Sequence, residues 1–177
     1  MIFHRSKLAG AWLIEPERRH DERGYFVRTF CIEEFAMHGL ESKFVQTSLS
    51  FNKVKGTLRG LHFQKAPYQE TKVVGCVQGA IYDVLVDLRL NSPTFGQWEG
   101  YELSQANGRQ LYIPEGFAHG FQTLCDASTV SYAISSFYAP DAASGVRFDD
   151  CQLAVKWPQP PIVISERDLS WPVLAAS

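Results

Sequence analysis

Cysteine is scarce in this chain of 177 residues: Cys31, Cys76, Cys125 and Cys151 stand far apart, and no Cys-x-x-Cys pair occurs. That spacing argues against a disulfide framework or a structural zinc site and for four free thiols in a reducing cytoplasm. No uncharged run approaches the ~20 residues of a membrane-spanning helix. Nor does an apolar segment follow Met1-Ile2-Phe3-His4-Arg5 to make a signal peptide. Excess charge is also missing. With 17 Lys and Arg against 19 Asp and Glu, the net charge is −2, so neither nucleic acid nor a membrane surface is expected as a partner. An anionic ligand must then be met by a few placed Arg and Lys side chains. No internal repeat, low-complexity tract or long linker divides the chain, whose length suits one domain, 1–177, with a buried core.

What is present is a series of short runs rich in Val, Ile, Phe and Tyr that alternate with polar residues and end at Gly, Pro or Asn. Residues 73–77 and 81–88 flank Gln78-Gly79, which predicts a hairpin leading into a long, largely buried strand. Residues 101–103 and 110–113 flank Asn107-Gly108, the strongest turn signal in the chain. Residues 121–124 and 129–135 are joined tightly through Asp126-Ala127-Ser128. One stretch reads as helix, 33–38, capped by Thr29 and stopped by Gly39. Many closely spaced strands predict an all-β, antiparallel sandwich or barrel with a few short helices. From Asp141 onward, Pro158, Pro160, Pro161 and Pro172 exclude long helices. Trp157, Ile162, Val163, Ile164 and Trp171 still give this tail enough apolar surface to lie along the barrel.

Three segments carry candidate chemistry. In Gly56-Thr57-Leu58-Arg59-Gly60-Leu61-His62-Phe63-Gln64, a strand with outward Arg59 and His62 between glycines brings backbone, cation and imidazole together. Ile113-Pro114-Glu115-Gly116-Phe117-Ala118-His119-Gly120-Phe121 reads as a turn that starts a strand with an inward histidine, a recurrent cupin feature. Metal-binding cupins add a His-x-His pair on the earlier strand, but Gly60 and Gln64 flank His62 here. Two histidines are too few for a stable divalent site, so no metal is expected. Asp21-Glu22-Arg23-Gly24-Tyr25-Phe26 is a turn that sets Arg23 beside aromatic side chains.

Taken in order, Arg59-Gly60-Leu61-His62, Val86-Asp87-Leu88-Arg89, Ser92-Pro93-Thr94-Phe95-Gly96 and the 113–121 segment resemble one family. It is that of the dTDP-4-keto-6-deoxyglucose 3,5-epimerases of deoxysugar biosynthesis, and the resemblance runs from about residue 21 to about residue 172. It implies a cupin-type jelly-roll barrel that pairs as a homodimer. It also implies a cofactor-free epimerase acting on a nucleoside-diphosphate 4-keto-6-deoxy sugar at C3, C5 or both. By the same resemblance His62 is the base, Asp168 its partner, Tyr132 the proton donor and Lys72 the cation beside the enolate. Arg23 and Arg59 match residues that meet the diphosphate, and planar Arg forks suit that task. Gln46, Ser48, His119 and Tyr138 fall on binding positions, and Phe26 could pack on the base or sugar.

The match also breaks in places. Arg28 and Ala143 stand where the family usually has Glu, Ser48 where it has Asn, Arg167 where it has Lys, and Asp149-Asp150-Cys151 replaces Asn-Asp-Pro. Arg28 and Arg167 are thus counted among the binding residues with altered chemistry. Exchanging acceptor carboxylates for an Arg and an Ala points to a different accepted sugar or nucleotide. Two other classes compete with the epimerase: a metal-dependent cupin enzyme, and a sugar-nucleotide binder that has lost catalysis.

Overall fold

The sequence alternation becomes two facing sheets. The computed structural model describes residues 1–174; residues 175–177, the end of the expected domain, lie outside the described residues. In chain order the elements are β1 (Ile2–Arg5), β2 (Trp12–Glu15), β3 (Arg19–Asp21), β4 (Gly24–Phe26), helix α1 (Ile32–Met37), β5 (Gln46–Asn52) and β6 (Leu58–Gln64). There follow β7 (Lys72–Gln78), β8 (Ala80–Asp87), β9 (Trp98–Ser104), β10 (Gln110–Ile113), β11 (Phe117–Thr123), β12 (Ser128–Ile134), β13 (Ala143–Gly145) and helix α2 (Glu166–Leu169). One sheet has the order β1-β2-β10-β7-β12-β5 and the other β13-β6-β11-β8-β9, while β3 and β4 form a ribbon of their own. Strand pairs within the sheets are antiparallel. This is the jelly-roll barrel expected. Among the described residues no helix is long and apolar enough to cross a membrane.

The turns do a different job from the one their sequence implies. β7 and β8, on either side of Gly79, do not form a hairpin: β7 pairs with β10 and β12, and β8 with β9 and β11. Gly79 (φ +77°) is a corner between sheets, and an added Cβ would sit 2.6 Å from Ser128 Oγ. Asn107-Gly108 likewise joins β9 of one sheet to β10 of the other. Asn107 makes the turn by accepting from the Ser104 and Arg109 amides and donating to the Glu102 carbonyl. The 126–128 connection, tight as expected, also crosses sheets. Local turn chemistry sets the bend but not the partner strand, since partners are chosen by burial of both inner faces.

Other boundaries move as well. Strands β9 and β11 begin earlier than predicted, at Trp98 and Phe117. Cys31, not Thr29, is the N-cap of α1, with extended backbone and no side-chain cap.

Period-two alternation fills the space between the sheets. Val74, Cys76, Ile81, Leu85, Leu111, Phe117, Phe121 and Val130 pack into one cluster with Leu8, Ala11, Leu103 and Ile113. The outer face of the five-stranded sheet is covered by the tail, where Val146, Leu153, Val155, Trp157 and Leu174 lie against Leu61, Val84, Val86 and Ala118. The tail thus lies along the barrel, although Ile162 and Val163 stay exposed; that stretch meets the body through backbone, at Leu58 N–H to Val163 O and Ile162 N–H to Gly56 O. Outside the six-stranded sheet, Phe35 of α1 packs with Ile14, Val73 and Tyr112.

Candidate active site

Where the inner rows of both sheets should continue as core, they turn polar. On β7 the row Val74, Cys76 is preceded by Lys72, and on β12 Val130 is followed by Tyr132. On β8 Asp83 sits between Ile81 and Leu85, and on β11 His119 sits between Phe117 and Phe121. These positions share a face because strand side chains alternate. Lys72, Tyr132 and His119 line a cavity of about 520 Å³ that also takes in His62, Arg59, Gln46, Ser48, Tyr138, Arg167 and Asp168, while Asp83 lies buried behind His119.

Arg59 and His62 are three residues apart, so a regular strand would put them on opposite faces. The pairing of β6 with β11 is irregular: His119 pairs with His62, but Phe121 pairs with Arg59. The extra residue in β6 brings both side chains to the same side, as a bulge does. The two side chains expected to point outward therefore face the cavity. Gly60, inside the bulge, has φ +129°, and an added Cβ would lie 2.5 Å from the Gly120 Cα.

His62 Nε2 lies 2.6 Å from Asp168 Oδ1. Helix α2 delivers that carboxylate, and Ser165 Oγ caps the helix by accepting the Asp168 amide. The Gly60 amide and the Trp171 indole also donate to Asp168, each at 3.3 Å. Burial opposes ionisation of Asp168, but the bonds from His62, Gly60 and Trp171 outweigh it and hold its carboxyl below the usual range. A carboxylate on one ring nitrogen fixes the tautomer, leaving the lone pair on the other.

A second such pair stands beside the first. His119 Nε2 is 2.9 Å from both oxygens of Asp83, which is fully buried. Burial pushes Asp83 up, against the pull of His119 and Lys72. The Tyr132 and His119 rings stand nearly perpendicular, with centroids 6.0 Å apart. Burial first, and Asp83 second, push the Tyr132 phenol well above its ordinary value, with Arg59 opposing. Lys72 is paired with Glu70 at 2.8 Å. Arg59 is oriented by Asn52, whose Oδ1 accepts from Nε at 2.7 Å. Gln46 Oε1 accepts the Tyr138 amide at 2.8 Å, and the Arg167 guanidinium lies over Trp171 at 5.1 Å.

The structure does not bring Arg23, Phe26 and Arg28 to this cavity. The β3–β4 ribbon pairs only with itself, Arg23 is held by Asp21 at 2.6 Å, Phe26 is 72% exposed, and Arg28 pairs with Glu34 at 3.2 Å. Of the departures named above, Ala143, Ser48 and Arg167 line the cavity. Residues that sequence reasoning passed over are Asp83, Glu70, Asn52, Gln64 and Trp171. Asp83 left a signal, an acid in mid-strand between the apolar Ile81 and Leu85 of the inward row.

Comparison with known proteins finds one family along nearly the whole chain. The family model described as dTDP-4-dehydrorhamnose 3,5-epimerase matches residues 5–176. A dTDP-4-dehydrorhamnose 3,5-epimerase from Methanothermobacter thermautotrophicus is 46% identical over 172 residues, 96% of this chain and 92% of that protein. A dTDP-4-dehydrorhamnose 3-epimerase from Streptomyces niveus is 41% identical over 162 residues, covering 91% of this chain and 78% of its own. The crystal structure of a dTDP-4-dehydrorhamnose 3,5-epimerase from Bacillus anthracis with TDP and PPi bound is similar with a TM-score of 0.95. It is 43% identical, and the match covers 98% of this chain and 99% of that one.

Proposed function

The chain belongs to the dTDP-4-dehydrorhamnose 3,5-epimerase family, and from that premise we propose that His62 starts the reaction by taking a proton from carbon beside the sugar ketone. The protein is an isomerase of deoxysugar biosynthesis, acting on a nucleoside-diphosphate 4-keto-6-deoxy sugar. One observation carries the assignment of roles: His62 is on the five-stranded sheet, while Tyr132 and Lys72 are on the six-stranded sheet across the cavity. Inversion needs a base on one face of the carbon and an acid on the other, and the two sheets supply them from opposite walls.

The ketone acidifies the neighbouring C–H. His62 takes that proton while Asp168 stabilises the imidazolium that forms. The electron pair moves to the ketone oxygen, where the Lys72 ammonium meets charge present only in the transition state and the enolate. Tyr132, kept protonated by burial, gives its proton to the opposite face. One proton leaves and another arrives with no net oxidation, so these side chains suffice without a cofactor. Arg59, Arg167, Gln46, Ser48, His119 and Tyr138 bind the nucleotide and sugar.

Arg23, Phe26 and Arg28 are offered as binding residues supplied to a second copy. Leu49, Phe51 and Val77 leave an apolar stripe exposed on the outer face of the six-stranded sheet, at 70%, 59% and 52%, which supports a homodimer. The location is read as cytoplasmic from the free thiols. A change in accepted sugar or nucleotide has its footing in Ala143, which puts a methyl group on the cavity wall at the position where a Glu is usual in the family.

The test is deuterium incorporation in D2O, followed by NMR, with thymidine-, guanosine- and cytidine-linked 4-keto-6-deoxy sugars. Exchange at C3, C5 or both is expected, and it should fall at least about 100-fold in His62→Ala. Unchanged exchange in that variant sinks the assignment of the base. Clear preference for the thymidine-linked rhamnose precursor removes the case for altered specificity.

A further inference from the structure

The wall opposite His62 holds a carboxylate that none of these roles uses. Glu70 stands just before β7, with its side chain 12% exposed. One oxygen takes the Lys72 ammonium at 2.8 Å, and the other accepts from the Gln64 amide at 3.2 Å. Gln64 is tied at both ends of its own amide. Its Nε2 also donates to the Tyr68 and Phe137 carbonyls, and its Oε1 accepts the Ala139 amide at 2.7 Å. Glu70 is thus fixed from behind by a side chain that is itself fixed by three backbone groups, at residues 68, 137 and 139.

Lys72 is buried, at 8% exposure. Asp83 is close enough to feel its charge, but both Asp83 oxygens are taken by His119. Among the described residues Glu70 is therefore the carboxylate that anchors the ammonium. An ammonium has three donors. One goes to Glu70, and the remainder are available to the cavity. Without the anchor, a flexible four-carbon stem would spread the charge over several rotamers and lose entropy each time it met the substrate.

We infer that Glu70, held by Gln64, is a positioning residue: it aims the Lys72 ammonium so that its remaining N–H groups meet the ketone oxygen as negative charge develops there. This rests on the epimerase reading of the same cavity. Glu70 touches no reacting atom and works through Lys72 alone.

The experiment is steady-state kinetics on a dTDP-linked 4-keto-6-deoxyglucose with the full chain and five variants, one of them double. Glu70→Ala should lose about 10- to 100-fold in kcat with KM within about threefold, since the lost contact matters most as the enolate forms. Glu70→Gln keeps an oxygen for the ammonium and should return to within about threefold of the parent. Glu70→Asp keeps the charge but withdraws it by one methylene, and should lose about tenfold. Added to Lys72→Ala, Glu70→Ala should cost nothing more, because a group acting only through Lys72 has nothing left to aim.

Unchanged kcat in both the Ala and Asp variants overturns the inference, as does an equal loss in the Lys72→Ala background. If Glu70→Ala does not fold, the contrast of Asp with Gln carries the same decision. Inactivity of the parent overturns the epimerase reading and this inference with it. An active parent with insensitive variants overturns this inference alone.

Discussion

Replacing Tyr132 by Phe removes one oxygen from the wall facing His62 and little else. The ring packs against the inner cluster and, nearly perpendicular, against the His119 ring, and Phe keeps both contacts. What acts on the hydroxyl is burial, Asp83 and Arg59, with no hydrogen bond to the protein among the described residues. No buried donor loses its partner, so the melting temperature should stay within about 3 °C, or ~1 kcal/mol for a chain of this size. Activity should behave otherwise. Because burial raises the Tyr132 phenol, its proton is present at any working pH and is there to be given. Loss of a general acid costs about 10²- to 10⁴-fold. His62 and Asp168 are untouched, so the base can still take a proton and return a solvent deuteron to the same face. The assay is NMR in D2O, scoring deuterium with retained configuration separately from inverted product. Inversion should fall by at least about 100-fold, and exchange with retention should fall much less. Equal losses of both, or undiminished inversion, would refute Tyr132 as the donor on the far wall.

Asp168→Asn keeps the shape of the base's partner but removes the charge that stabilises the imidazolium. We expect kcat/KM to fall by at least about 100-fold with KM little changed, read by the same exchange assay. Asp87 makes a stability prediction. Burial opposes its ionisation, but bonds from Arg89, Ser92 and Thr94 pull its carboxyl down to about 2. A depressed carboxylate contributes stability that is present above its unfolded value, near 4, and is lost as pH falls toward 2. The gap is worth about 2 kcal/mol, so Asp87→Asn should flatten that acid limb in urea melts followed from pH 6 to pH 2. An unaltered limb would place the acid sensitivity elsewhere. Gly60→Ala forces a Cβ to 2.5 Å from the Gly120 Cα and 2.9 Å from the His119 carbonyl at φ +129°. Calorimetry should give a loss of about 2 kcal/mol or more, with His62 displaced and exchange lost in any protein that folds.

Period-two patterning was legible because it follows from burying one face, and it gave the all-β class and most strands. Partner choice was not. Gln78-Gly79 and Asn107-Gly108 look like hairpin turns because the same backbone chemistry serves a hairpin and a corner between sheets. Only the demand to bury the inner faces of β7 and β8 against each other, instead of side by side, separates the two. His62, Lys72, Tyr132 and Asp168 were found through their resemblance to one family. What resemblance alone could not give was the bulge that turns Arg59 and His62 to one side, since an irregular register is a property of two strands together. Glu70 and Gln64 were hidden for a related reason. Their meaning lies in whom they touch, and Gln64 reaches residues 68, 70, 137 and 139.

The charges inside the barrel follow one rule. Each carboxylate lining or flooring the cavity is matched: Asp168 by His62, Asp83 by His119, Glu70 by Lys72. A low-dielectric interior allows little else, because an unpaired ion there costs several kcal/mol. Two arginines on the cavity fall outside the rule because they are exposed. Arg59 is oriented by the neutral Asn52 and Arg167 lies on the face of Trp171, and among the described residues neither has a carboxylate within ion-pair distance. Both line the cavity. Their uncompensated charge is tolerable because water or an anion can reach it, and a diphosphate is the anion that the proposed substrate brings. Charge balance therefore divides the cavity in two. In the proposed reaction the His62–Asp168 and Lys72–Glu70 pairs serve the proton and the enolate, and the unpaired arginines serve the anion that arrives with the substrate.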